Sequence, residues 1–155
     1  MASVQKSIHR GVELLQQGKH TEAADLYRSV LRRDPFNGDA LHLLAVALFQ
    51  SGEAQKAAEF GERAVRSNPR APDYHSNLGR YYLALNRFPE AADSLQRALA
   101  LAPSHPLAHF NLALTRQNQA DFNAAIRHME EYTRLNPQDA AGHHHLGNLL
   151  GGQYR

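Results

Sequence analysis

Cysteine and tryptophan are both absent from the 155 residues. Without cysteine the chain has no disulfide framework, no thiolate zinc site and no thiol nucleophile, which suits a reducing compartment. Long apolar runs are missing too. Met1 to Arg10 lacks the continuous apolar segment of a signal peptide, and no stretch approaches the length of a membrane span. The expected location is therefore the cytoplasm, and no membrane is expected as a partner. Charge of one sign is scarce: 17 Lys and Arg face 15 Asp and Glu, and the longest basic runs are pairs such as Arg32-Arg33. No clustered basic face results, so nucleic acid is not an expected partner. There is no G-x-S-x-G elbow, Walker loop, dinucleotide glycine fingerprint or H-E-x-x-H pair. The chain is expected to be no enzyme and to carry no cofactor.

What is present is a period. Pro35, Pro69, Pro103 and Pro137 recur at a step of 34 residues. The same step relates Ala23, Ala57, Ala91 and Ala125, then Leu44, Leu78, Leu112 and Leu146. It also relates Gly11, Ala45, Gly79, Ala113 and Gly147, always Gly or Ala.

Each unit makes physical sense as two helices. In residues 72–105, Pro72 suits a first helical turn, where its missing N–H costs nothing. Leu78, Gly79 and Tyr82 fall on one helical face, and the small Gly79 lets a second helix approach closely. Asn86 sits where the chain must turn and tolerates the left-handed conformation; Gly18 and Gly52 hold that place in the first two units. Pro89 and Glu90 open the second helix, with the acid near its positive end. Ala91, Leu95 and Ala98 form its buried stripe, and Pro103 closes the unit. One such pair cannot bury its apolar face alone, whereas stacked neighbours can. Full units are expected at 4–37, 38–71, 72–105 and 106–139, with a terminal helix at 140–152 and no second domain.

This pattern resembles the tetratricopeptide repeat family over essentially the whole chain. The third unit matches with Leu78, Gly79, Tyr82, Ala91, Ala98 and Pro103, and the first with Gly11, Ala23, Tyr27 and Pro35. The family's tryptophan column holds Ser7, Leu41, His75, His109 and His143. Gly61 replaces a usual large residue, Tyr132 a small one and Arg116 an apolar one. The resemblance implies an all-α, right-handed α-solenoid of antiparallel helix pairs, about nine helices in all. It also implies that the first helices line a concave groove that holds a protein or peptide.

Carried onto this sequence, the groove positions include His42, Phe49, Asn77, Arg80, Phe110, Asn111, His144 and Asn148. Asp73, Leu107 and His145 also face it. Phe49 and Phe110 would be apolar anchors. Asn77 and Asn111 share one column in adjacent units, and each could bond a peptide backbone amide with donor and acceptor together. A similar asparagine ladder belongs to the arm of O-GlcNAc transferases. The family's Lys/Asn/Arg clamp for chaperone tails has no counterpart, so such tails are not expected ligands.

Ten histidines raise the question of a metal. His143, His144 and His145 are consecutive on a helix and point about 100° apart, so they cannot chelate one ion together. His75, His109 and His143 form a column at semi-buried positions, where packing is the expected role. No metal site is assigned, beyond an adventitious zinc or nickel contact near His143 to His145.

The end of the chain carries its own signal. Leu146, Leu149 and Leu150 leave apolar surface after covering the preceding unit. Gly147, Gly151 and Gly152 each cost helix stability of roughly 1 kcal/mol relative to Ala. Gln153-Tyr154-Arg155 resembles the opening of a further second helix. Two ways of covering that surface follow: continuation into a longer protein, or self-association through residues 140–155. The principal functional expectation is a non-catalytic interaction scaffold. The alternative is the substrate-docking arm of a larger transferase, either a glycosyltransferase or a sulfotransferase, whose catalytic domain lies beyond Arg155.

Overall fold

The computed structural model describes residues 2–153, and Tyr154 and Arg155, on which the expected final turn depends, lie outside them. The described chain is a succession of helices: α1 Ala2–Gln16, α2 His20–Arg33, α3 Gly38–Gln50, α4 Ala54–Ser67, α5 Pro72–Ala84, α6 Phe88–Leu101, α7 Pro106–Asn118, α8 Phe122–Leu135 and α9 Ala140–Gln153. Each helix packs on the next in the chain, and the first helices of successive units also touch: α1 with α3, α3 with α5, α5 with α7. The second helices make no comparable contacts with one another. The array therefore curves with its first helices on the inner side, which makes it an α-solenoid.

The turn inside each unit repeats one hydrogen-bonded form. The N–H groups of Lys19, Glu53, Arg87 and Asp121 donate to the carbonyls of Leu14, Leu48, Tyr82 and Arg116, each at 2.9 Å. The residue before each donor is left-handed: Gly18 at φ 74°, Gly52 at 84°, Asn86 at 58° and Ala120 at 61°. This is the Schellman ending, which satisfies carbonyls that the helix leaves free. Three of the four residues suit that conformation, and Ala120 does not.

Within a unit the two helices meet at the small-residue column. A methyl group at Gly11 would stand 2.5 Å from the ring of Tyr27, and one at Gly79 would stand 2.5 Å from Leu95 Cγ and 3.2 Å from the Ala91 carbonyl. Tyr27 and Leu95 are fully buried. Gly61, expected to be a large residue, is closed over instead by Leu78 and Tyr81 of α5, which approach its open side at 3.2 and 3.3 Å. Tyr132, in a column of small residues, fits because Gly142 of α9 lies against its ring. The core is a chain of such clusters running from Leu14 in α1 to Leu149 in α9.

Two outcomes test this description. Ala120→Gly relieves the left-handed strain and is expected to stabilise the chain by about 1 kcal/mol, read as a higher urea midpoint. Gly79→Ala forces α5 away from α6 and should cost about 2 kcal/mol by the same measurement.

Candidate binding surface

The inner first helices place the expected groove residues in three ring clusters. In the first, His42 of α3 stacks on Tyr74 of α5 with centroids 4.5 Å apart and planes 21° apart. The amide Nδ2 of Asn77 lies 3.4 Å from His42 Nε2, and Tyr74 donates its hydroxyl to Asp39 at 2.6 Å. Burial holds the His42 imidazole below its usual pKa, against the opposing pull of Asp73 and Asp39. A neutral ring with Nδ1–H and a bare Nε2 accepts from Asn77.

In the second cluster, Phe49 of α3 lies 4.9 Å from the Tyr81 ring, and the exposed Arg80 holds its guanidinium 4.7 Å above Phe49. A cation over a ring face is attracted by the ring's quadrupole, so Arg80 is ordered while its N–H groups still reach solvent. In the third, Phe110 of α7 meets Tyr132 at 4.9 Å and the edge of His145 at 5.5 Å. Exposed His144 and Asn148 pair beside it, Nε2 to Nδ2, at 3.1 Å. Asn111 is different: it is only 8 % exposed, and its amide has little room to meet a ligand. Asn77 and Asn111 share a column, yet their surroundings are not equivalent.

Tyr74 and Tyr132 were not among the expected site residues. An aromatic at Tyr132, where the pattern calls for a small residue, was the available signal. Tyr132 also borders a hollow of about 680 Å³ that includes Asp73, His105 and Leu107, where His105 Nε2 lies 2.8 Å from Asp73 Oδ1. Away from these clusters, Phe36 on the α2–α3 turn is 83 % exposed, over a hollow of about 480 Å³ with Leu41, Arg63 and Arg66. Its repeat column otherwise holds Arg70, Ser104 and Gln138, so an aromatic among polar turn residues marks it in the sequence.

The histidine column has a structural explanation. Nε2–H of His75, His109 and His143 donates to the carbonyls of Pro69, Pro103 and Pro137 at 2.8, 2.8 and 2.9 Å. Each histidine thus ties a first helix to the turn that closes the preceding unit. In unit two the column holds Leu41, and Arg63 donates to the Pro35 carbonyl instead, at 3.3 Å. His109 extends the chain of bonds. Its Nδ1 faces Nδ1 of His128 at 3.1 Å, so neutral His128 donates there. Among the described residues, no three His, Asp or Glu side chains converge as metal ligands would, and no helix is long and apolar enough to cross a membrane.

Family models of the tetratricopeptide repeat match residues 10–75, 72–105 and 107–139. The chain belongs to the tetratricopeptide repeat family. It is similar to BBSome complex member BBS4 of Mus musculus, at 28 % identity over 123 residues, covering 79 % of this chain and 24 % of that protein. It is also similar to a UDP-N-acetylglucosamine–peptide N-acetylglucosaminyltransferase of Caenorhabditis elegans, at 33 % identity over 67 residues, which is 43 % of this chain and 6 % of that one. The chain thus spans under a quarter of the length of these two relatives. The solved structure of Pseudomonas aeruginosa PilF superposes with a TM-score of 0.89 at 26 % identity, covering 99 % of this chain and 70 % of that one. Tetratricopeptide repeats form a protein-interaction scaffold, and that is the class of this protein.

Burial pushes the His128 imidazole down from 6.5 to about 4, helped by the neighbouring His109 and by the charges of Arg116 and Arg127 and opposed by Asp121. The unfolded chain takes up the proton first, so stability is full above pH 6.5 and falls as the pH drops towards 4. Solvent screening at this half-buried site reduces the loss to about 1 kcal/mol. His128→Gln should flatten the stability profile across that window, measured by denaturation at stepped pH.

Proposed function

We propose that the inner face of α3, α5, α7 and α9 binds a protein segment in an extended or helical form, with no chemistry performed on it. The observation that carries this reading is the Arg80–Phe49 pair. An exposed guanidinium is held in place over a ring where α3 meets α5 on the inner face, ready to bond a backbone carbonyl or an acidic side chain without further ordering. The His42–Asn77 group lies beside it on the same two helices, and the Phe110–His145 group lies further along the array on α7 and α9. An aromatic ring with a polar tip suits peptide recognition because it offers apolar contact and a directed hydrogen bond together. Asn77 supplies one amide for a peptide backbone, and partly covered Asn111 contributes less. His144 and Asn148 extend the surface onto α9. A chain without cysteine suits the cytoplasm.

The similarity to the nematode transferase favours a second reading, in which the same face delivers protein substrates to a catalytic domain encoded beyond Arg155. The gene sequence past that residue separates the two.

Partners captured from a cell extract by the wild-type chain should be lost with Arg80→Ala or Phe110→Ala, each weakening binding about tenfold. Arg134→Ala, on the second helix α8, serves as the control. Circular dichroism must show equal helicity. Capture that survives both inner-face changes would remove the inner face from the account.

A further inference from the structure

The second unit departs from the later ones around the hollow beside Phe36. Leu41 stands in the histidine column and cannot bond the Pro35 carbonyl, so Arg63 of α4 turns to do so. The Arg63 guanidinium also lies 5.0 Å from the centroid of the Phe60 ring. In the third unit the corresponding arginine, Arg97, pairs with Asp93 at 3.3 Å. The acid in the place of Asp93 is Glu59, which accepts from Gln55 instead. Among the described residues, no carboxylate lies within ion-pair distance of Arg63. One turn on, the Arg66 side chain is 68 % exposed, and its contact with Glu62 is long, at 3.9 Å. Glu62 itself is engaged by the Tyr82 hydroxyl at 2.7 Å. Phe36, Leu41, Arg63, Arg66 and Ser67 line the hollow, so both charged groups in its wall are cations and neither has a close acid. Asp39 lies past Phe36, in a smaller adjoining hollow, and accepts from the Tyr74 hydroxyl. In the third unit Arg70 and His75 replace Phe36 and Leu41, so neither the exposed ring nor the leucine floor recurs there.

We propose that this hollow is a second binding site, and that it takes an acidic residue next to a large apolar one on a segment of another protein. The carboxylate lies between Arg63 and Arg66, and the neighbouring side chain packs between the Phe36 ring and Leu41. Charge decides the sign of the ligand. Two guanidinium groups without a close carboxylate attract an acidic segment and repel a basic one. Arg63 is already fixed by the Pro35 carbonyl and the Phe60 ring, so little ordering is lost on binding, and most of its N–H groups remain to donate. A planar guanidinium meets a carboxylate through two parallel hydrogen bonds. The apolar half of the ligand covers the Phe36 ring, which is otherwise left in water. A lone exposed ring is ordinary on a protein surface. A ring beside a hollow of about 480 Å³, with two cations that lack a close acid, has the size and the few directed polar groups of a ligand site. A small free anion would satisfy the arginines and leave the ring and the leucine floor unused, whereas an acidic–apolar pair meets both. The hollow belongs to α4 and to the α2–α3 turn with the start of α3, away from the ring clusters of the inner face, so this proposal stands independently of the proposed function.

Titration of the isotope-labelled 155-residue chain with blocked tetrapeptides, followed by amide and arginine side-chain NMR signals, tests it. The probes are acetylated, amidated Gly-Glu-Phe-Gly and Gly-Phe-Glu-Gly, with Gly-Gln-Phe-Gly and Gly-Phe-Gln-Gly as uncharged controls. At least one acidic probe should give saturating shifts at Phe36, Ser67 and the Arg63 Nε–H, in the millimolar range expected of so small a ligand. Its Gln counterpart should bind at least about tenfold more weakly. Phe36→Ser and Arg66→Gln should each weaken the acidic probe by about tenfold, while Arg80→Ala on the inner face leaves its affinity unchanged. Phe36→Ser places on an exposed turn the residue that Ser104 supplies in the third unit, and circular dichroism checks that both variants keep their helicity. Absence of a saturating shift overturns the proposal, and so does equal binding of the Gln probe, which would reduce the hollow to an apolar contact. Shifts confined to Arg80 and Phe49 overturn it as well and leave the inner-face reading standing. A Phe36 signal that moves on simple dilution of the unliganded chain would make a second copy the occupant and overturn the acidic segment.

Discussion

Everything in this solenoid depends on how closely the two helices of a unit approach at one column of small residues. At Gly11 and Gly79, Tyr27 and Leu95 from the partner helix occupy the place of the missing side chain. The approach sets the distance between helices, and the distance determines which side chains of the next unit reach the core. Gly61 shows the compensation. A large residue is lost from the second helix, and Tyr81 from the following unit moves in and is itself fully buried. Packing is therefore settled between neighbours, unit by unit, as expected for an array in which each unit touches only the next.

Polar groups follow the same repeat. The prolines that end each second helix leave carbonyls that the helix cannot use, and three histidines and one arginine bond them. Imidazole can take the tryptophan position because it keeps a ring for packing and one N–H for the carbonyl. These histidines are consequently occupied within the fold, which makes them poor candidates for metal ligands. On the inner face the polar tips that stay exposed are those of Arg80, His144 and Asn148 above all.

The relation between sequence and site is uneven for a physical reason. Asn77 and Asn111 occupy the same position of successive repeats, so sequence alone makes them equals. In the structure Asn77 pairs with His42, while Asn111 is largely covered. Which neighbour covers a side chain depends on helix tilt and on the sizes of residues from adjacent units, and neither is written at the position itself. The pairing of Arg80 with Phe49, of Tyr132 with Gly142 and of His109 with His128 arises in the same way, from residues far apart in the chain that only packing brings together.

The helix pairs, their period and the left-handed turn at Asn86 were determined by the sequence itself. They depend on local preference and on a spacing repeated often enough to override local exceptions such as Ala120. The family followed from the same columns. Only the tertiary structure decided which members of a column are buried and which are exposed. It made Phe36 an exposed ring and Asn111 a covered amide, because exposure belongs to the set of neighbours a residue acquires and not to the residue alone.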